Sequence, residues 1–221
     1  MDLGLKDKVV LVTGASKGLG EAIANAFGVE GSKLILVARN QAELEKVASE
    51  AQKKGAADVL AISADLTKND DINRVVSETI KKFGTVHVLV NNAGMLGSFS
   101  LFEDLTDDEW FQVFNLNIFS LVKTTRAVLP YMTKQKWGRI INMSSESGLQ
   151  PDAAMAHYGA SKAALLNITK SLSKGYGQYG ILVNSVSPAF IKTPMVEAML
   201  DQITKEKNFS HQEAEAYIKS G

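Results

Sequence analysis

The chain has 221 residues, 45% of them hydrophobic, enough for one sizeable core and long for two ordinary domains. Its 24 basic and 24 acidic side chains cancel and no basic block stands out, which argues against nucleic acid or an anionic membrane surface as partner. Cysteine is absent, so disulfides and thiolate chemistry are excluded. No apolar run approaches the roughly 20 residues that cross a bilayer, and His87, His157 and His211 lack metal-ligand spacing. The start carries acids and lacks the apolar stretch of a signal peptide, so the expectation is a cytoplasmic protein with no membrane span and no metal.

In chain order, short apolar runs alternate with amphipathic stretches. The runs Val9 to Val12, Leu34 to Ala38, Val59 to Ser63, Val86 to Val90, Arg139 to Met143 and Ile181 to Ser187 read as strands buried on both faces. Ala42, Leu44, Val47, Ala48 and Ala51, then Ile72, Val75, Val76, Ile80 and Phe83, recur at helical spacing between them. The longest helix opens at a capping box from Thr106 to Glu109, flanked by Leu105 and Trp110 as a hydrophobic staple, and runs toward Pro130. A second capping box, Ser210 to Glu213, opens a short helix containing Tyr217 and Ile218. No linker or repeat interrupts the series, so the expected architecture is α/β, a single-domain, doubly wound parallel sheet of Rossmann-like type spanning residues 1–221. No strand pattern follows the sixth: either the sheet ends there, or a terminal helix and strand that would cover its edge are lacking.

Chemistry concentrates in four places. Thr13-Gly14-Ala-Ser16-Lys17-Gly18-Leu19-Gly20 follows a strand and opens a helix, where glycines let the backbone approach a pyrophosphate and the helix amino end supplies free N–H groups. Its spacing is GxxxGxG rather than GxGxxG. Asn91-Asn92-Ala93-Gly94 closes the fourth strand at the carboxyl edge, where open parallel sheets bind ligands, and Asp65 after the third strand is placed to accept a hydrogen bond from an adenine amino group. Tyr158 and Lys162, four apart, share one helix face, so an ammonium beside a phenol is expected to favour the ionised form. Ser145 lies thirteen residues before Tyr158.

In order and spacing these elements resemble the short-chain dehydrogenase/reductase family from about Lys8 to Thr193: TGxxxGxG, Asp65-Leu66, NNAG, Asn117, Ser145 and YxxxK. The resemblance implies a catalytic tetrad, with Tyr158 as general acid/base, Lys162 tuning it and holding the nicotinamide ribose, Ser145 binding the substrate oxygen and Asn117 anchoring a water relay. Asn115 and Ser144 neighbour the chosen residues; counting favours Asn117, seven after Trp110, and Ser145. It further implies cofactor contacts from Gly14, Ser16, Lys17, Gly18, Leu19, Gly20, Asp65, Leu66, Asn91, Ala93, Gly94, Tyr158, Lys162, Pro188, Ile191 and Thr193. The chain departs from the family's Pro-Gly pair at Pro188-Ala189; if that position needs positive φ, the loop must be reshaped.

The second strand ends Val37-Ala38-Arg39-Asn40 without a carboxylate, so a 2'-phosphate is tolerated, and Arg39 with Lys17 can bind it. NADP is therefore expected over NAD. The substrate is a small carbonyl compound or alcohol; Met95, Leu96, Phe99, Met195, Met199 and Leu200 hint at a partly apolar pocket, while Glu146 and His157 neighbour catalytic positions and suggest a polar contact. The resemblance implies a homotetramer, and Phe111, Phe114, Phe119 and Leu121, spread around the long helix, exceed what one sheet face requires. Two rivals share the fold, a non-catalytic NADP-binding sensor and an epimerase or dehydratase; the intact Asn, Ser, Tyr and Lys set argues against the first and the short chain against the second.

Overall fold

The computed structural model describes residues 2–220. Six strands form one parallel sheet in the order β3-β2-β1-β4-β5-β6: β1 Val9–Thr13, β2 Lys33–Ala38, β3 Asp58–Ser63, β4 Val88–Asn91, β5 Gly138–Met143 and β6 Ile181–Val186. The β4 strand starts two residues later than the Val86 expected. Between strands run helices α1 Gly18–Val29, α2 Gln41–Lys53, α3 Asn69–Phe83, α4 Asp107–Phe114, α5 Ser120–Lys134 and α6 Ala156–Tyr176; α7 Pro194–Lys207 and α8 His211–Ser220 follow the last strand.

The pleat of the strands explains the two-sided burial. Val9, Leu11, Ile35 and Val37 face one side, where Ile72 and Val75 of α3 and Val128, Leu129 and Met132 of α5 cover them. Val10, Val12, Leu34 and Leu36 face the other, against Ala24 of α1 and Leu44, Val47 and Ala51 of α2. At the edge, β6 buries Ile181 and Val183 but leaves Leu182 and Val186 exposed. The chain winds outward from β1 in one direction and from β4 in the other. The resulting reversal opens a crevice at the carboxyl ends of these two strands.

Both expected capping boxes form. Glu109 accepts from the Thr106 N–H and hydroxyl while the Thr106 hydroxyl accepts from the Glu109 N–H, and Ser210 and Glu213 repeat the arrangement. The helix opened by Thr106 is not one regular helix. A π-turn, Asn115–Phe119, separates α4 from α5, and the helical path continues through Pro130 to Lys134 although proline has no N–H to donate.

Candidate active site

A cleft of about 1190 Å³ crosses this crevice, from Ala38–Glu43, past Gly14 and Ser16–Gly20, to Asn92–Met95, Tyr158, Lys162 and Thr193–Met195. That volume exceeds the range of ordinary small-ligand pockets, roughly 300–1,000 Å³. One wall is the glycine turn. The Thr13 hydroxyl donates to the Val90 carbonyl and accepts from the Asn92 and Ala93 N–H groups at 2.9 and 3.0 Å, tying the ends of β1 and β4 together. Asn92 Nδ2 donates back to the Thr13 and Gly14 carbonyls. The packing leaves no space for side chains: a Cβ on Gly14, whose φ is +65°, would lie 2.9 Å from Ala93 Cα, and one on Gly20 would collide with the Gly14 carbonyl oxygen. No side chain caps the amino end of α1, so its N–H groups face the cleft with the positive end of the helix dipole.

At the other end lies a buried polar cluster. Tyr158 and Lys162 are 9% and 6% exposed, and Lys162 Nζ stands 5.5 Å from the centre of the Tyr158 ring. The ammonium donates to the Met143 carbonyl at 2.7 Å. Burial lowers Lys162 to about 8, and burial also raises the phenol of Tyr158, offset in part by a hydrogen bond with Ser145. This corrects the expectation from the helix face: the pair is adjacent, but in the free protein burial outweighs any lowering of the phenol by the ammonium. Gly94 sits where a Cβ would come 3.1 Å from Asn117 Oδ1 and 3.7 Å from Lys162 Nζ, so its missing side chain keeps space open beside the lysine.

Geometry separates the neighbouring candidates. Ser145 bonds with Ser147 and faces the Tyr158 phenol, whereas the Ser144 hydroxyl is spent on the Lys162 carbonyl, holding α6 to the sheet. Asn115 lines the cleft; Asn117 is buried below it, accepting from the Met95 N–H at 2.8 Å and donating to the Met95 carbonyl and to Ser161 Oγ. Ser161 in turn donates to the Tyr158 carbonyl. Ser161 was missed in the sequence, where an isolated hydroxyl carries no signal of tertiary bonding, and Thr13 and Asn92 were quoted there as motif members without the bonds they make.

Gly14, Ser16, Lys17, Gly18, Leu19, Gly20, Arg39, Asp65, Leu66, Ala93, Gly94 and Thr193 line the cleft with Tyr158 and Lys162. Asn91 does not. Strand alternation turns it inward, where Nδ2 donates to Thr125 Oγ1 and Asn142 Oδ1. Pro188 and Ile191 also lie outside the lining, Pro188 accepting the Glu146 N–H through its carbonyl. Asp65 commits Oδ1 to the N–H and hydroxyl of Thr67. Ala189 needs no left-handed backbone, since the non-glycine residues with positive φ among the described residues are Asp7, Lys136 and Asn208.

His157 is not at the substrate face. It is fully buried beneath the loop that carries Gly97, edge-on to Trp110, and neither ring nitrogen makes a hydrogen bond of good geometry. Burial lowers its pKa against the opposing pull of Glu109. Burial, helped by Lys8 and Lys33, also lowers that of His87, whose Nδ1 accepts the Val9 N–H at 3.0 Å. Both rings take up a proton less readily in the folded chain than in the unfolded one, where histidine is protonated below about pH 6.5. Stability is therefore expected to fall as pH drops from 7 to 5, by on the order of 1 kcal/mol per pH unit for each histidine that stays neutral. Urea unfolding at pH 7, 6 and 5 measures it; a His157→Phe variant with an unaltered slope would remove His157 from the account.

The model of the short chain dehydrogenase family matches residues 8–204, and the chain belongs to that family. A 3-oxoacyl-[acyl-carrier-protein] reductase of Pseudomonas aeruginosa is 37% identical over 209 residues, covering 91% of this chain and 84% of that protein. Among solved structures, levodione reductase superposes with a TM-score of 0.90 at 31% identity, over 95% of this chain and 80% of that one. L-sorbose reductase from Gluconobacter frateurii, complexed with NADPH and L-sorbose, gives 0.89 at 31% identity, over 96% and 81%.

Proposed function

We propose that the chain is an NADP-dependent oxidoreductase interconverting a ketone or aldehyde and an alcohol, with Tyr158 as general acid/base. The observation that carries this reading is the end of the cleft, where the buried Tyr158 and Lys162 line the wall and Ser145, half-buried and outside that lining, hydrogen-bonds the phenol. The nicotinamide, when bound, supplies or accepts the hydride. Gly14, Ser16–Gly20 and the amino end of α1 suit its pyrophosphate, and the space kept by Gly94 beside Lys162 suits the ribose. Tyr158 then gives or takes the proton at the substrate oxygen, Ser145 donates a hydrogen bond to that oxygen, and Lys162 supplies positive charge beneath the phenol. Asn117 holds the Met95 backbone at the mouth of this cluster. Following reduced-nicotinamide absorbance across a series of ketones tests the activity; no turnover of any of them would refute it.

Arg39 and Lys17 are exposed along the adenosine end of the cleft, which supports NADP over NAD. A hydrogen bond to a charged group contributes about 1.5–3 kcal/mol. Arg39→Ala is therefore expected to raise KM for NADPH about 10- to 100-fold with little change for NADH. Equal KM values for NADPH before and after the substitution would assign Arg39 to solvent.

Self-association belongs to the same proposal. Phe114 and Leu121 pack within the chain, but Phe111 and Phe119 on the same helical path are 72% and 51% exposed, with Phe102 at 67%. Such apolar surface favours a homo-oligomer, a tetramer by family resemblance. Light scattering at micromolar concentration is expected to give a multiple of 23.9 kDa; a monomer would dismiss it.

A further inference from the structure

We infer that His157 is a proton-sensitive positioning residue: neutral, it supports the turn at Gly97 that brings Leu96 and Phe99 against Tyr158, and on taking up a proton it draws Glu109 away from Ser98 and releases that turn. Packing carries this. His157 is fully buried, and a Cβ on Gly97, whose φ is +80°, would lie 2.3 Å from its Nε2 and 2.8 Å from Val113 Cγ2. The backbone of Gly97 therefore rests on the imidazole, an approach that requires a glycine. On one side of the turn Met95 is held by Asn117; on the other, the Ser98 hydroxyl donates to Glu109 Oε1 and the Ser100 N–H donates to the Ala154 carbonyl. Leu96 and Phe99, between these fastenings, pack in the cluster that buries the Tyr158 ring.

An apolar ring would be the more stable filling of this space, because a buried imidazole whose two nitrogens lack partners has lost its hydration and gained no bond in return. What the imidazole adds is a charge state. The segment over the ring, Leu96–Phe99, and Val113 carry no titratable side chain, and α4 brings Glu109 together with the edge of Trp110 at 6.0 Å. On α6 the Tyr158 phenol bonds with Ser145 and Lys162 is turned to the Met143 carbonyl. Asp152 bonds the Ala154 N–H, Glu146 is exposed, and Tyr217 of α8 stands edge-on to Phe99. Of these groups only Glu109 acts on the ring through its charge: with the Met155 backbone it favours the protonated form, and burial, the larger effect, opposes it. Glu109 Oε2 holds the Thr106 cap while Oε1 holds Ser98, so both oxygens are engaged when the ring is neutral. A proton on His157 makes a buried cation beside this carboxylate. By giving up Ser98 and keeping the cap, Oε1 is freed to accept from the imidazolium; one proton is bound, one N–H···O bond forms and the Ser98 bond breaks. Leu96 and Phe99 then leave Tyr158, while Met95 stays fixed to Asn117. Since burial holds His157 below its ordinary value of about 6.5, the closed turn prevails above that pH and the open one gains as pH falls below it.

Hydrogen exchange read by mass spectrometry tests this on the intact chain, in a peptide spanning Leu96–Ser100, with rates corrected for the intrinsic effect of pH. Protection is expected to fall about tenfold or more from pH 7.5 to 5.5 in the parent and to be equal at the two pH values in His157→Gln, whose side chain takes no proton. Ser98→Ala removes the bond that the proton breaks, so at pH 7.5 it should already show the parent's acid value and change no further. A fall that persists in His157→Gln would belong to another group, such as His211 on Asp201, and would overturn the inference. Equal protection of the parent at both pH values, or a Ser98→Ala variant that keeps the parent's fall, would overturn it too; should His157→Gln not fold, Ser98→Ala decides. The effect on rate rests on the reading that Tyr158 serves a carbonyl reaction. With a ketone that turns over, kcat/KM of the parent should drop below about pH 6.5 more steeply than that of His157→Gln, and coincident profiles would strip His157 of its positioning role. A chain that turns over nothing, yet loses protection in acid as described, would refute the carbonyl reaction and leave the proton-sensitive turn standing.

Discussion

Tyr158→Phe is expected to lower kcat by about 10²–10⁴-fold, the range contributed by a positioned acid or base, while cofactor affinity stays within a few-fold of the parent. The substitution removes one hydroxyl. The ring it leaves behind keeps its place among Phe99, Met155 and Met199, and Lys162 keeps its bond to the Met143 carbonyl. Lost packing therefore does not stand in for lost chemistry. Steady-state rates with a ketone, paired with cofactor titration by fluorescence, separate the two effects. A variant that turns over within threefold of the parent would remove Tyr158 from the proton transfer and favour a chain that binds a nucleotide without reacting.

Gly20→Ala is expected to be the most damaging single methyl in the chain. The added carbon would meet the Gly14 carbonyl, which already accepts from Asn92 Nδ2, and Asn92 is itself tied to the end of β1. Relief requires moving the turn, and overpacking of this kind costs about 1–3 kcal/mol or more. The shift also displaces the N–H groups at the start of α1, so cofactor binding should weaken at least 100-fold. Gly175→Ala is the control: it adds the same methyl in α6, with nothing within 4 Å, and should be neutral or stabilise by up to about 1 kcal/mol. Similar losses in both variants would mean that the Gly14–Gly20 approach has no special cost.

Legibility in the sequence followed the range of the interaction. Strands buried on two faces are continuous apolar runs, so all six were found with boundaries shifted by one or two residues, and the capping boxes at Thr106 and Ser210 were visible because their bonds span three residues. The π-turn at Asn115–Phe119 was not visible, since its spacing differs from an α-helix by one residue within an apolar stretch. Asn91 shows the same limit. Its place beside Ala93 and Gly94 suggested the cleft, yet the side on which a strand residue points depends on where the strand ends. The burial of His157 and the orientation of Lys162 toward Met143 depend on elements far away in the chain and have no local signature.

Asn117 has a consequence for motion. By taking the N–H and carbonyl of Met95 together, its carboxamide does for that residue what a neighbouring strand does for a residue in the sheet. The segment after β4 has no strand geometry, but at Met95 it has the hydrogen bonding of one, and Ser161 fastens the same amide to the helix bearing Tyr158. Opening this segment at Met95 therefore means breaking both bonds to an Asn117 that is itself held in place by Ser161. Its excursions belong with the slow, cooperative openings of the core and not with the fast fluctuations of a surface loop, so the rim of the cleft is rigid at Met95.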